Sequence, residues 1–403
     1  MTEKTNIPQG YKDSPLGIIP KEWEVKRLGE ICTFHNGRAY SQKELLPYGK
    51  YRVLRVGNFF TNSSWYYSNL ELEDTKYANN GDLLYAWSAS FGPRFWKGER
   101  IIYHYHIWKI DNFINISNTY LYMFLLFDAS KLQKTLQGGT MVHVTKENME
   151  KRYIGIPPIC EQQHIVSALQ HWDTAIEKQS ELIEKLKLRK RALMQQLLTG
   201  KKRLPGFRGE WKRISLKSIA TEVSIKNKED KDYTVLSCTK HDGLVPSLEY
   251  FGKQIYSNDL GNYKIVPMHH FAYATNHIEE GSIGYQSKYE YGLISPMYTV
   301  FKTAKDVIDD NFLFAVLKSH HLIYLYQSMM EGSINRRGGL RWDSFSTIKI
   351  DLPPLNEQKA ISSFLKDADK EIELANEKLA SMQSQKRGLM QQLLTGKKRI
   401  IHK

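Results

Sequence analysis

The sequence predicts an α+β fold in which two globular domains are separated by two long antiparallel helices that form an intramolecular coiled coil. Three observations predict it: a helical segment that occurs twice, two regions of similar size before the two copies, and short strand-like runs inside each region. The chain has 403 residues, too many for one ordinary hydrophobic core. Because both halves follow one plan, we expect a pseudo-twofold internal repeat. The predicted segments are a first domain at 1–156, a long helix at 157–203, a second domain at 204–352 and a second long helix at 353–403.

The repeat is the clearest feature of the chain. The segment 157–203 recurs at 353–399, at a constant offset of 196 residues (353 − 157) without a gap. Both copies open with two prolines, continue with Glu-Gln and end in LMQQLLTGKKR. Proline is tolerated only just before a helix or in its first turn, and glycine favours a helix end. The proline pairs therefore predict where each helix begins, and Gly200 and Gly396 predict where each ends.

Apolar residues in each copy follow a heptad pattern. Steps of 3, 4 or 7 residues separate them, which is typical of the a/d stripe of a coiled coil. The stripe consists of Ile165, Leu169, Trp172, Ile176, Ile183, Leu186, Leu193 and Leu197, and of Ile361, Leu365, Ala368, Ile372, Leu379, Met382, Leu389 and Leu393. Each copy places one lysine in this seam, Lys190 or Lys386. Two matched stripes in one chain favour an intramolecular pair over a homodimer, and about 38 helical residues predict a length of about 57 Å.

The regions before the helices, called here the first head (1–156) and the second head (204–352), carry fainter echoes of each other. Residues 21–31 match 209–219, and residues 85–87 match 273–275. Aromatic and β-branched runs broken by Gly, Asn and Pro, such as 51–56, predict strands. Each head is therefore predicted to be a mixed α+β unit.

A helix followed by a glycine-rich polar segment is predicted late in each head. The helices are expected at 118–136 and 311–330, and the polar segments at 138–146 and 332–339. Glycine lets backbone amides approach a phosphate group closely. We therefore expect a shared frame with different loops, as two heads that read different targets would need.

The charge balance favours a polyanionic partner. The chain has 57 Lys+Arg against 43 Asp+Glu, a formal net charge of +14. Nucleic acid or an anionic membrane surface would attract such a chain, whereas the alternative is excess lysine that only keeps a large protein soluble. Arg, Asn, Gln and Lys pair with base edges or hold phosphates. The candidate DNA-binding residues are Arg38, Arg55, Asn58, Ser88, Ser90, Arg94, His143 and Lys146 in the first head, and Lys240, His241, Asn276, Gln286, Asn335, Arg336, Arg337 and Arg341 in the second.

Sequence motifs for catalysis, metal binding and membrane insertion do not occur. There is no GxxxxGK[S/T] phosphate loop, no GxGxxG turn and no amino-methyltransferase motif around the proline pairs. His104 and His106 face one side of a strand-like run, but without a third ligand we interpret them as a structural pair. Three distant cysteines, no signal peptide and no apolar run near ~20 residues predict a cytoplasmic protein that makes no membrane contact. We predict no catalytic residue, metal site or cofactor in this chain.

The repeated helix resembles that of the specificity subunit of type I restriction–modification systems. The resemblance rests on the Pro-Pro-x-x-Glu-Gln opening and the LMQQLLTGKKR ending of both copies. Residues 81–92 and the run from Gly332 to Trp342 also look like segments of that family. The resemblance covers essentially the whole chain.

This resemblance implies a function and a set of partners. Each head would be a target recognition domain for one half of a bipartite, asymmetric site in double-stranded DNA, and the helices would fix the spacer between halves. Two modification subunits that use S-adenosylmethionine to methylate adenine would dock on the chain. Restriction subunits that use ATP and Mg would join the larger complex. Individual base contacts do not carry over, because such domains differ most where they read sequence.

Two other functions compete with this interpretation. A coiled-coil scaffold or adaptor without a DNA role would explain the helices but neither the charge nor the matched heads. A methyltransferase fused to its own recognition domain would need more than the roughly 145 residues of each head, and methyl-transfer motifs are missing.

Overall fold

The computed structural model describes residues 7–88, 91–135, 144–331 and 339–400. The chain divides into two compact units, one formed by Met1–Ser180 with Lys378–Lys403 and the other by Glu181–Glu377. Each unit therefore contains one head, a part of the long helix that follows it and a part of the other long helix.

The first head is built on two four-stranded sheets and two β-ribbons. Its strands are β1 (Tyr11–Lys12), β2 (Ile19–Pro20), β3 (Glu24–Arg27), β4 (Thr33–Asn36), β5 (Tyr51–Leu54), β6 (Tyr66–Ser68), β7 (Tyr77–Ala78), β8 (Leu83–Ala86), β9 (Gly92–Phe95), β10 (Ile101–Tyr103), β11 (Ile107–Asp111) and β12 (Tyr153–Ile156). One sheet has the order β4-β11-β8-β9 and the other β6-β5-β10-β7, while β1 pairs with β2 and β3 with β12. Strands β5 and β10 run parallel.

Helices complete the first head, and one of them packs on the sheet β4-β11-β8-β9. They are α1 (Leu28–Ile31), α2 (Val56–Phe60), α3 (Asn118–Thr135) and α4 (Lys146–Glu150), followed by the long helix α5 (Ile159–Leu197). Tyr120 of α3 is buried in one core with Tyr85 and Trp108 of the sheet. The Tyr85 and Trp108 rings stack with their centroids 5.8 Å apart. The predicted helix at 118–136 is thus confirmed.

The second head repeats this plan with different lengths. Its strands are β13 (Lys212–Ser215), β14 (Ala220–Val223), β15 (Leu236–Thr239), β16 (Gly243–Pro246), β17 (Lys264–Pro267), β18 (Phe271–Ala274), β19 (Ile283–Tyr285), β20 (Tyr291–Ile294), β21 (Tyr298–Thr303) and β22 (Lys349–Leu352). Its helices are α6 (Ser247–Phe251), α7 (Asp310–Leu317), α8 (His320–Glu331) and α9 (Trp342–Phe345), followed by the long helix α10 (Leu355–Leu393). Short 3₁₀ turns also occur in both heads.

Strand order shows that the heads share one frame. The sheet β14-β21-β18-β19 has the order of β4-β11-β8-β9, and the ribbon β13-β22 corresponds to β3-β12. Val235 bridges Leu293 in parallel, as β5 pairs with β10 in the first head. The matching residues 85–86 and 273–274 fall at the ends of β8 and β18. The predicted frame is therefore confirmed.

Two local predictions are corrected. The helix expected at 311–330 is two helices, because α7 ends at Leu317 and a new helix begins at His320. The Ser319 hydroxyl, just before this second helix, accepts from the backbone N–H of Leu322 at 3.4 Å, as a capping serine does. The residues His104–His106 form the turn between β10 and β11 instead of a strand.

The long helices have the predicted length and apolar face. Each has 39 residues, or about 58 Å at ~1.5 Å per residue. All 16 stripe residues are buried or half-buried. One core joins Ile165 near the start of α5 to Leu393 at the end of α10, and the other joins Ile361 to Leu197. In both units the start of one helix thus packs with the end of the other, which is the antiparallel arrangement predicted.

Both helices end as the glycines predict. Gly200 and Gly396 have φ of +67° and +69°. The N–H of Lys202 donates to the carbonyl of Gln196 at 3.1 Å, and that of Lys398 to Gln392 at 3.1 Å. A left-handed residue with this hydrogen bond is a common helix terminus.

Two glycines, one inside α10 and one just after it, give a matched test of the helix end. Gly388→Ala should stabilise the chain by about 0.5–1 kcal/mol, because Gly388 is helical and a Cβ there meets no atom within 4 Å. Gly396→Ala should destabilise it by more than about 1 kcal/mol, because its φ is positive and the Cβ would collide with Pro20. Calorimetric midpoints of the two variants should move in opposite directions, and shifts of the same sign would contradict this description of the helix end.

Within the described residues, no helix combines the length and apolar character that crossing a bilayer requires.

Candidate nucleic-acid interface

A buried Glu-Gln pair fastens the first head to its helix. Gln162 is fully buried and donates to the carbonyls of Asn115 and Pro157 at 3.0 and 2.9 Å. Its Oε1 accepts from the N–H of Ser117 at 2.8 Å. The Gln162 side chain thereby hydrogen-bonds backbone groups of the loop before α3 and of the segment between β12 and α5.

The neighbouring carboxylate binds the segment that follows the other long helix. Glu161 is 5% exposed and accepts from the indole of Trp23 at 3.1 Å and from Arg399 at 2.8 Å. Arg399 also pairs with Glu22. The segment that follows α10 is thus held against the start of α5 by the Glu161 carboxylate. Its charged and neutral donors offset the cost of burying that carboxylate.

The second unit contains the same clamp. Gln358 donates to the carbonyls of Val307 and Pro353 at 3.0 and 2.8 Å and accepts from the N–H of Asp309 at 2.8 Å. Glu357 is fully buried between Arg203, at 2.6 Å, and Trp211, at 3.3 Å. Sequence analysis missed this role, although the identity of Glu-Gln in both copies was its signal.

The seam lysines make equivalent ion pairs. Lys190 pairs with Asp369 in one unit, and Lys386 pairs with Asp173 in the other. Asp173 and Asp369 occupy the same place in the two copies (173 + 196 = 369). The lysine side chains are 24% and 14% exposed, so their aliphatic stems cover the seam while the ammonium groups reach carboxylates at its rim.

Two arginines of the first head hold ordered positions near the β10–β11 turn. Arg38 donates to Glu44 at 2.7 Å, and this hydrogen bond is the main cause that lowers the pKa of Glu44 to about 2. The exposed Arg55 lies 5.0 Å from the centroid of the Tyr66 ring. Arg38 is thus already engaged within the head, whereas Arg55 keeps an accessible charge.

Asn58 and Arg94 converge on a cleft beside α3. The cleft has a volume of about 610 Å³ and is also lined by Trp96 and Tyr122. Arg94 is exposed and lies 5.5 Å from the centroid of Phe60. Asn58 donates to the carbonyls of two residues of the following loop, at 3.2 and 2.6 Å. Asn58 therefore shapes the rim of the cleft, and Arg94 supplies its charge.

The exposed candidates of the second head are spread over several loops. Lys240, Asn276 and Arg341 are exposed. His241 is exposed and lines a cleft of about 590 Å³ that also includes Asp369. This cleft corresponds to the one in the first head, which includes Asp173.

Three candidates have internal positions or partners. Gln286 is 2% exposed and its Oε1 accepts from the N–H of Lys288 at 3.2 Å, while Ser88 is 5% exposed. The expectation that these two lie on an exposed surface is therefore corrected, because the fold buries them. Lys146 begins α4 and lies 3.5 Å from Glu150.

The remaining candidates lie outside the described residues. They are Ser90, His143, Asn335, Arg336 and Arg337. The glycine-rich segments lie outside them as well, except for residues 144–146 and Gly339.

Among the described residues, one group of three metal-ligating residue types has its ligand atoms close together, and the histidine pair of the β10–β11 turn is also close. His277, Glu279 and Glu280 have ligand atoms within 4.8 Å of one another, but none of the three residues is buried. The rings of His104 and His106 lie 4.9 Å apart without a third ligand from the described residues. Burial, followed by the nearby His106 and Arg55, lowers the pKa of His104 to about 4. His104 is therefore neutral at pH 7.

Comparisons with known proteins agree with this architecture. The specificity subunit of the type I restriction enzyme MjaVIII from Methanocaldococcus jannaschii is 26% identical and covers 98% of both chains. A structure reported on complex assembly and conformational transition of the type I R-M system aligns at a TM-score of 0.61, with 15% identity over 94% of this chain and 99% of that one. The HsdS subunit from Thermoanaerobacter tengcongensis aligns at a TM-score of 0.50, with 14% identity over 94% of this chain and 98% of that one. At these identities the structures support the fold alone.

The family model supplies the assignment. The model described as type I restriction modification DNA specificity domain matches residues 20–188 and 210–383. Each match takes in most of one head and of the long helix after it, so the internal repeat is a repeat of this domain. With most of the sequence matched, the chain belongs to the type I restriction–modification DNA specificity family and is a specificity subunit.

Proposed function

We propose that each head reads one half of a bipartite, asymmetric site in duplex DNA, and that the paired helices fix the spacer between the halves. The observation that carries this proposal is the shared strand order of two heads whose exposed side chains differ. One frame places both reading surfaces alike, and different side chains select different bases. A helix of about 58 Å exceeds the ~34–36 Å of one DNA turn.

The repeated helices supply two equivalent docking surfaces for partners. Gln195 and Gln196 are exposed and identical to the exposed Gln391 and Gln392. Identical exposed residues have no packing role that would require them. We propose that two modification subunits dock there, bring S-adenosylmethionine and methylate adenine, and that restriction subunits bring ATP and Mg. This chain catalyses no reaction in the proposed complex, which works in the cytoplasm where it meets DNA.

Salt dependence of DNA binding tests this proposal against an adaptor role. We expect the complex with its modification subunits to bind duplex DNA carrying its site, and to lose about 10³-fold affinity between 50 and 200 mM salt, because six or more phosphate contacts release counterions. Fluorescence anisotropy with labelled duplexes measures this. A scaffold whose heads bind only proteins would show no binding at either salt concentration, and that result would refute the proposal.

A further inference from the structure

The turn that joins the two sheets of the first head is rigidly held. Residues 104–106 connect β10 of one sheet with β11 of the other. The indole N–H of Trp87 donates to the carbonyl of Tyr105 at 2.8 Å, and the N–H of Tyr105 donates to the carbonyl of Arg38 at 3.1 Å. The N–H of Ile107 closes the turn on the carbonyl of His104 at 2.9 Å.

The second head holds the corresponding turn in the same way. Residues 295–297 connect β20 with β21. The hydroxyl of Thr275, which follows β18 as Trp87 follows β8, donates to the carbonyl of Met297 at 2.9 Å. The N–H of Tyr298 closes the turn on the carbonyl of Ser295 at 3.0 Å. Both heads therefore use different side chains to fix one backbone conformation at one place.

The side chains that these turns expose are different. Tyr105 is 40% exposed in the first head and Met297 is 60% exposed in the second. Because hydrogen bonds already hold the backbone of both turns, binding through these side chains needs no further ordering of that backbone. A common backbone with unlike exposed side chains is what two readers of different half-sites require.

The surroundings of both turns suit DNA. Arg38 pairs with the first turn through its backbone, and Arg55 is close enough to act electrostatically on His104. In the second head the N–H of Leu340 donates to the carbonyl of Thr275 at 2.7 Å. Thr275 also bonds the turn through its hydroxyl, so the exposed Arg341, which follows Leu340, is linked to the turn through Thr275. The exposed Arg55 and Arg341, beside an aromatic and an apolar tip, supply phosphate contacts around a base-contacting centre.

We propose that the turns 104–106 and 295–297 contact the bases, one in each half-site. This inference rests on the proposed function and deepens it. The Tyr105 hydroxyl donates and accepts hydrogen bonds and the two imidazoles add ring nitrogens, so the His-Tyr-His turn selects base edges with polar groups. The Ser-Pro-Met turn offers apolar surface that fits a thymine methyl or a wedge at a base step.

Variants in opposite heads test this inference within the complete complex with its modification subunits. Tyr105→Ala should relax the preference for at least one base pair in one half-site by about tenfold, and Met297→Ala should do so in the other. Sequencing of methylated positions in a library of randomised sites measures both halves at once. Tyr48→Ala and Tyr324→Ala serve as controls, because these tyrosines are 81% and 73% exposed in the same two heads but belong to neither turn. The controls should leave both half-sites unchanged.

The outcomes separate the two levels of the proposal. If the unsubstituted complex methylates without sequence preference, the proposed function fails and this inference fails with it. If the unsubstituted complex is specific but the turn variants keep its base preference in both half-sites, the inference alone is wrong. The same holds if the turn variants lose methylation equally at all sequences. Should Tyr105→Ala fold poorly, Tyr105→Phe keeps the ring and removes only the hydroxyl. It should still change the preference at the same half-site.

Discussion

Replacing Gln162 with alanine should destabilise the first unit by about 3–5 kcal/mol. The side chain is fully buried and makes three hydrogen bonds with backbone groups of Asn115, Pro157 and Ser117. Alanine leaves all three groups without that partner, and each buried polar group left unsatisfied costs about 1–3 kcal/mol. Truncation also leaves a cavity between head and helix.

Calorimetric unfolding of the full chain measures this loss, and the adjacent residue supplies the control. Gln163 is exposed, so Gln163→Ala should change stability by less than about 0.5 kcal/mol. Gln358→Ala should reproduce the loss in the second unit, since Gln358 makes the same three bonds. If Gln162→Ala were as stable as Gln163→Ala, the clamp would not hold the head to the helix.

Inserting seven residues into one long helix alone should reduce site-specific DNA binding by at least about 100-fold. The separation between Asp173 and Lys190 in the first helix equals that between Asp369 and Lys386 in the second. Each lysine pairs with the aspartate of the other helix. A block of about 10.5 Å in one helix therefore cannot leave both ion pairs and both halves of the apolar stripe in register. We expect one of the heads to lose its place relative to the DNA.

The matched control inserts the same block at equivalent positions in both helices. Registers are then restored, and binding should return with a spacer longer by about three base pairs, because ~10.5 Å corresponds to three steps of ~3.4 Å. Binding to duplexes with graded spacers measures this shift. Unchanged spacer preference in a variant that binds well would show that the helices do not set the distance.

Local signals explain why the helices were predictable from sequence. Prolines and glycines act through the backbone of their own segment, and the heptad stripe is visible in the spacing of that segment. The structure confirms the start, the apolar face and the end of both helices. The break at Ser319 was missed because a single capping serine interrupts an apolar pattern that continues on both sides.

Long-range contacts explain what the sequence left unpredicted. The partner of Glu161 is Arg399, 238 positions away, and no periodicity connects them. Gln286 looked like a surface residue, but the fold buries it against the backbone of its own turn. The sequence alone did not identify Tyr105 and Met297 as candidates, because their equivalence depends on the strand order of the two heads. The base contacts of either head stay predictions.

Exchange of the second head tests the central claim most directly. Residues 204–352 are replaced by the corresponding region of another specificity subunit, and methylated sites are mapped by sequencing DNA from cells that carry the complete system. If each head reads one half of the site, the new site should keep one original half and its spacer while the other half changes. A chimaera that stays active and stable but alters both halves, or neither, would contradict the claim.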